Sequence, residues 1–125
     1  MVKEVDDLLV YQKAIEAADE ISDILKAKGF AKDHRLRNQL GASSERVASL
    51  IAEGFEQKTD RHFASYLHLA RGSSSETRTQ LRVARGREYV SEARQAAVSE
   101  KYREIEKMLR GLIRHLNEDD WQDRR

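Results

Sequence analysis

The chain lacks cysteine and proline altogether. Without cysteine it has no disulfides, no thiolate metal sites and no cysteine nucleophile. Proline interrupts helices, so its absence from 125 residues is typical of a nearly all-helical chain with short turns. No apolar run approaches the roughly 20 residues of a membrane span. The first residues are acidic and carry no apolar signal core. We therefore expect a cytoplasmic protein with no membrane contact.

Aromatic residues are scarce, at 6%, whereas charged residues make up 36% of the chain. This composition indicates one domain with an aliphatic core and a charged surface. The net charge of +1 hides an uneven distribution. Residues 1–30 carry four basic and seven acidic side chains, and residues 59–90 carry six arginines and three acids. The third quarter of the chain is therefore its basic region.

Apolar spacing by threes and fours predicts four helices, at about 7–28, 33–56, 60–86 and 91–117. The predicted fold class is an all-α, up-down-up-down four-helix bundle over residues 1–117, followed by a polar tail at 118–125. The tail contains Trp121, either in a frayed end or docked at a subunit contact. The predicted core stripe of the first helix is Leu8, Tyr11, Ile15, Ala18, Ile21 or Ser22, and Leu25.

Local signals mark the ends of these helices. Gly29 is the expected terminator of the first helix. The predicted N-caps of the other three are Asp33, Thr59 or Asp60, and Ser91. Along the last helix, spacing predicts three exposed ion pairs: Glu100–Arg103, Glu104–Lys107 and Glu106–Arg110.

Two glycines interrupt helical segments, Gly54 within Ile51–Phe55 and Gly72 within Ala70–Ser73. Small residues let a neighbouring backbone approach closely, so they predict a tight contact between the second and third helices. The third helix also has a mixed outer seam, His62, Leu69, Glu76 and Val83, at intervals of seven. This seam indicates subunit contact, although a wide intramolecular face would look the same. We assign six residues to packing and assembly: Glu53, Gly54, Leu69, Gly72, Glu76 and Val83.

An arginine stripe is the candidate nucleic-acid-binding surface. Arg71, Arg78, Arg82 and Arg85 fall within about 60° of one another on the third helix. Arginine forms bidentate bonds to phosphate, and Arg61 and Arg87 would extend the surface. The alternative is that the arginines pair with acids of the first helix, in the same or a neighbouring subunit: Glu16, Asp19, Glu20 and Asp23.

Catalytic and metal sites have little support in the sequence. A di-iron bundle uses Glu-x-x-His, and no histidine here follows an acid at that spacing. Ser73-Ser74-Ser75 has no identifiable general base. Glu53 and Glu76 are better explained by ion pairs with Arg46 or Arg71 than by a shared metal. We therefore expect no enzyme activity, no metal and no cofactor.

Five segments in order carry a family resemblance: residues 7–14, 51–55, 70–73, 76–81 and 107–113. They resemble the four-helix-bundle proteins encoded within intervening sequences of bacterial large-subunit ribosomal RNA genes. Relatives of that family include the accessory variability proteins of diversity-generating retroelements, which assist a reverse transcriptase. The chain departs from the family pattern at Gly41-Ala42, where paired arginines are usual, and at Glu88-Tyr89, where Gly-Tyr is usual.

The resemblance implies a bundle that assembles into a ring of five subunits, with no known catalysis. The predicted function is a non-catalytic, homo-oligomeric accessory protein. It would bind structured RNA or DNA, or a reverse-transcriptase-like partner, through the basic face of the third helix. The alternative is a structural or protein-interaction scaffold with no nucleic-acid contact.

Overall fold

The computed structural model describes residues 2–123, with side chains up to residue 118. Its four α-helices are α1 (Leu9–Ile24), α2 (His34–Phe55), α3 (Asp60–Gly86) and α4 (Glu92–Asp123). Two short 3-10 helices, Val5–Asp7 and Lys28–Lys32, precede α1 and α2. No strand occurs between residues 2 and 123, so the all-helical prediction is confirmed. Over the same span, no helix is both long and apolar enough to cross a membrane.

Each helix packs against the next in the chain, and α1 also packs against α4. The helices α2 and α3 are antiparallel, because Ser43 contacts Gln80 and the later residue Arg46 contacts the earlier residue Glu76. The diagonal pairs, α1 with α3 and α2 with α4, do not meet in the described part of the chain. This is the connectivity of an up-down bundle.

The core stripe of α1 is displaced from its predicted position. Its buried residues are Val10, Ala14, Ala17, Ile21 and Ile24. The predicted core residue Ile15 is 39% exposed instead. The small alanines allow α1 to approach the core closely, while Ile15 lines a groove beside α2. Ile21 is buried as predicted, and Leu8, Tyr11 and Leu25 pack against the core while partly exposed. The prediction was wrong at Ile15, because two adjacent stripes are apolar and the one with larger side chains was chosen.

The predicted caps are confirmed at the starts of three helices. Asp33 Oδ1 accepts a hydrogen bond from Leu36 N at 3.3 Å, and Thr59 Oγ1 accepts one from His62 N at 3.2 Å. Ser91 Oγ accepts from Arg94 N at 3.1 Å. These side chains satisfy backbone donors that the first helical turn leaves unpaired.

Gly29 does not terminate α1, which ends at Ile24. It lies in the following 3-10 helix and does not adopt a positive φ. A Cβ atom at this position would lie 2.2 Å from Cδ1 of Tyr89. Gly29 is therefore required for the close approach of an aromatic ring, and the predicted role as a helix terminator was wrong.

The glycines of α2 and α3 differ from each other. A Cβ atom at Gly54 would lie 2.7 Å from Cβ of Tyr66 on α3, which confirms a tight contact between these helices. A Cβ atom at Gly72 would meet nothing within 4 Å. The prediction that Gly72 serves this same contact is therefore wrong, because Gly72 faces away from α2.

The last helix continues to Asp123, beyond the predicted end at residue 117. Residues 117–123 contain neither glycine nor proline, so nothing in their covalent structure stops the helix. The segment predicted as a polar tail is thus partly helical. The side chain of Trp121 lies outside the described residues.

Candidate nucleic-acid interface

The arginine stripe of α3 lies on the side of that helix next to α4. Two of its members reach carboxylates of α4: Arg78 reaches Glu106, and Arg85 reaches Glu92. A third, Arg71, lines a groove together with side chains of α4. The stripe therefore borders a junction of two helices, and its surroundings are set by α4.

Arg78 forms a bidentate ion pair within the chain. Its Nε donates to Oε2 of Glu106 at 2.7 Å, and its Nη2 donates to Oε1 at 2.9 Å. Ser74 Oγ donates to the same Oε2 at 2.8 Å, and Glu106 is only 8% exposed. The hydrogen bond to Glu106 raises the pKa of Arg78, so this guanidinium stays charged. The structure places Nε and Nη2 of this guanidinium on a buried carboxylate, so its charge is balanced within the chain.

The exposed pair predicted between Glu106 and Arg110 was accordingly wrong. Helical spacing alone placed the two residues together, but the carboxylate of Glu106 points into the α3–α4 contact. A bidentate bond to arginine in a partly buried site is stronger than an exposed i, i+4 pair. The predicted pair of Glu100 with Arg103 is present, at 4.0 Å.

The acids of α1 do not pair with the arginines of α3. Asp23 Oδ2 accepts from Nη2 of Arg94 at 2.9 Å, and Glu20 pairs with Lys101. Both bases belong to α4, on its flank next to α1. Pairing with α1 of the same chain is therefore wrong, because α1 and α3 lie diagonally across the bundle. Pairing with α1 of a neighbouring subunit stays a prediction.

Arg87 belongs to a separate cluster at one end of the bundle. Its Nη1 donates to Oδ2 of Asp33 at 2.7 Å, and the hydroxyl of Tyr89 donates to the same oxygen at 2.9 Å. The bond from Tyr89, followed by those from Arg87 and Leu36, lowers the pKa of Asp33. The same bond raises the pKa of Tyr89. Arg87 thus joins the α3–α4 turn to the start of α2.

Four arginines at the α3–α4 junction have no carboxylate partner among the residues with described side chains. We call them the open arginines: Arg71, Arg82, Arg110 and Arg114. Arg71 is half-buried, and the other three are exposed. Arg61, the remaining predicted binding residue, is exposed in the first turn of α3.

Arg110 and Arg114 were missed in the sequence. They line one groove with Arg71, and its other lining residues are Ile113, Asn117 and Glu118. The signal that could have revealed them is their i, i+4 spacing combined with antiparallel pairing of α3 and α4. Arg85 pairs with Glu92 near the start of α4, whereas Ser74 bonds to Glu106 further along it, so the two helices are antiparallel. The C-terminal half of α4 therefore lies beside the N-terminal half of α3.

Four of the six residues assigned to packing and assembly are exposed on α3: Leu69, Gly72, Glu76 and Val83. Leu69 is 59% exposed and Val83 is 38% exposed, so both point away from the core as predicted. Glu76 pairs with Arg46 at 3.4 Å, which confirms that predicted ion pair. Glu53 is exposed on α2. In the part of the chain that is described, no three His, Asp or Glu side chains gather as metal ligands.

Comparisons with known proteins point to one family. The family model described as "23S rRNA-intervening sequence protein" matches residues 6–111. A similar solved structure is a protein with unknown function from the S23 ribosomal protein family of Bacteroides thetaiotaomicron. It is 21% identical, with 84% of this chain and 98% of that chain covered, and its TM-score of 0.76 shows a shared fold. No curated protein matches the chain.

Proposed function

Because the chain belongs to the 23S rRNA-intervening sequence protein family, we propose that it is a non-catalytic accessory protein that binds structured RNA. The binding surface is the junction of α3 and α4. The observation that carries this proposal is the set of open arginines, whose charges no described carboxylate neutralises. Affinity for nucleic acid comes largely from such contacts to phosphate.

The distribution of charge supports this surface. Two acids of α1, Glu20 and Asp23, are paired on the opposite flank of α4, so they lie away from the open arginines. Arg71 and Arg82 are eleven residues apart on α3, about 16 Å along the helix axis. A surface of that length contacts several successive phosphates. The buried Arg78–Glu106 pair lies between them and holds α3 against α4.

Fluorescence anisotropy of a labelled RNA hairpin, titrated at several salt concentrations, tests the proposal. We expect salt-sensitive binding by the wild type. The variant Arg82→Gln/Arg110→Gln should bind at least about tenfold more weakly, with a salt slope reduced by about 1 or more. Arg35→Gln/Arg37→Gln is the matched control, since it removes two exposed positive charges from α2. Equal loss of affinity in the control, or binding that salt does not weaken, contradicts the proposal.

We further propose that the protein assembles with itself, as a ring of five subunits, through the outer seam. Exposed Leu69 and Val83 flank Gly72, where a neighbouring chain has room to approach. A half-exposed leucine and a mid-helix glycine are both unfavourable on an isolated helix. Burial against a second copy of the chain would explain why α3 has an exposed leucine and a glycine at these positions.

A scaffold that contacts no nucleic acid is the second candidate, and the outer seam is the observation that favours it. In either case a protein partner, such as a reverse-transcriptase-like enzyme, would bind the assembled ring. The hairpin titration separates the two, since a scaffold leaves the anisotropy of the RNA unchanged even at low salt.

A further inference from the structure

We propose that the groove between Arg71 of α3 and Arg110 and Arg114 of α4 holds one unpaired nucleotide of the bound RNA. The phosphate of that nucleotide bonds to the arginines, and its base lies in the apolar part of the groove. This inference rests on the proposed function. It adds that the surface distinguishes RNA with an unpaired nucleotide from continuous duplex.

The lining of the groove differs from that of a plain basic surface. Three guanidiniums from two helices surround Ile113, a residue that is 6% exposed and belongs to the core. The methylene groups of the arginines add further apolar surface. The groove is open to solvent and has a volume of about 570 Å³, which is large enough for one nucleotide.

The chemistry of each lining group matches one part of a nucleotide. Guanidinium groups bond to phosphate in bidentate fashion, and their planes also stack on exposed bases. The amide of Asn117 offers both a donor and an acceptor, as the edge of a base does. The carboxylate of Glu118 repels phosphate and accepts from a base amino group. It therefore directs the phosphate towards the arginines.

A base within a continuous duplex cannot enter this groove. It is stacked and paired, and in the A-form helix of RNA its edges are hard to reach from the deep groove. A bulged or looped nucleotide has no such constraint. Arg82 does not line the groove, so it contacts phosphates without regard to pairing.

The test compares three blunt-ended RNA duplexes of equal length: fully paired, with one central bulged nucleotide, and with an abasic residue at the bulge. Anisotropy measures each dissociation constant for the wild-type protein. We expect the bulged duplex to bind about tenfold more tightly than the paired one, and the abasic bulge to lose most of that gain. The abasic duplex controls for bending of the RNA.

Two variants separate this inference from the proposed function. Arg110→Gln/Arg114→Gln should abolish the preference for the bulge, whereas Arg82→Gln should weaken all three RNAs equally and keep the preference. All three sites are exposed, and circular dichroism checks that the variants fold. Tight, salt-sensitive binding of all three RNAs with equal affinity overturns the nucleotide subsite but leaves the proposed function standing. Absence of binding to any of them overturns both.

Discussion

At the scale of single residues, Glu88 occupies a backbone conformation that disfavours a side chain. Its φ of 65° is in the left-handed region, where no other non-glycine residue between positions 2 and 123 is found. The surrounding hydrogen bonds are those of a Schellman motif: Tyr89 N donates to Ala84 O, and Glu88 N donates to Arg85 O, both at 2.9 Å. Glycine is the usual residue at this position because it has no Cβ.

Replacing Glu88 with glycine should therefore stabilise the protein. We expect Glu88→Gly to raise the free energy of unfolding by about 1 kcal/mol, measured by urea denaturation. Glu88→Gln is the control, since it removes the charge but keeps the Cβ and so should give little gain. A stabilisation of equal size in both variants would show that charge, rather than backbone strain, is relieved.

Asp33 is a second single residue that affects the stability of the fold, in this case through the pH. Its pKa is lowered mainly by the hydrogen bond from Tyr89. A carboxyl whose pKa is lower in the folded state stabilises the fold above its ordinary pKa of about 3.9. That contribution disappears as the pH falls through the folded-state pKa.

We expect Tyr89→Phe to be less stable than the wild type at about pH 6, with the difference shrinking towards about pH 3. The measurement is urea unfolding across this range. Tyr11→Phe, which removes a hydroxyl from α1, should show a difference from the wild type that is independent of pH. A wild-type advantage that grows on acidification would contradict the assignment.

At the scale of elements, the contact of α2 with α3 depends on Gly54. Besides Tyr66, a Cβ atom there would lie 3.0 Å from Cδ1 of Phe63 and 3.3 Å from its carbonyl oxygen. Phe63 in turn packs edge-on against Phe55, with ring centroids 6.0 Å apart. The carbonyl is backbone and cannot rotate away, so the helices would have to separate.

We expect Gly54→Ala to lower the free energy of unfolding by about 1–3 kcal/mol, despite the better helix propensity of alanine. Gly111→Ala is the matched control, because a Cβ atom at Gly111 meets nothing within 4 Å. The control should be stabilised by up to about 1 kcal/mol. Thermal or urea denaturation measures both, and a gain in both variants would mean that α2 and α3 can separate at little cost.

At the scale of the whole molecule, the proposed assembly follows from the outer seam. Leu69 and Val83 remain exposed in the single chain. Analytical ultracentrifugation of the wild type should show a species larger than one 14.4 kDa chain. An apolar contact of this kind does not tolerate an unpaired charge at its centre.

We expect Leu69→Glu to shift the protein to the monomer by sedimentation, without loss of helical circular dichroism. Ala97→Glu, which adds the same charge to an exposed site on α4, should leave the assembly intact. A wild-type protein that sediments as a monomer at micromolar concentration would rule out the proposed ring.

The sequence predicts the role of a residue well when its partner is close in the chain, and poorly when its partner lies on another helix. The caps Asp33, Thr59 and Ser91 were identified because each bonds a backbone donor three residues away. The buried stripe of α1 was not identified, because Tyr11 and Ile15 have the same helical spacing as the buried residues Val10 and Ala14. The choice between the two stripes depends on how α2 and α4 approach.

The sequence by itself determined the helical class, the helix starts and the position of the arginine stripe on α3. These properties follow from spacing along one helix, where neighbours are three and four residues apart. Only the tertiary structure decided which arginines are open. Arg78 forms an ion pair with Glu106, twenty-eight residues away, while Arg110 and Arg114 line one groove with Arg71. The physical reason is that ion pairing and burial depend on distances between helices, which arise only when the apolar faces pack.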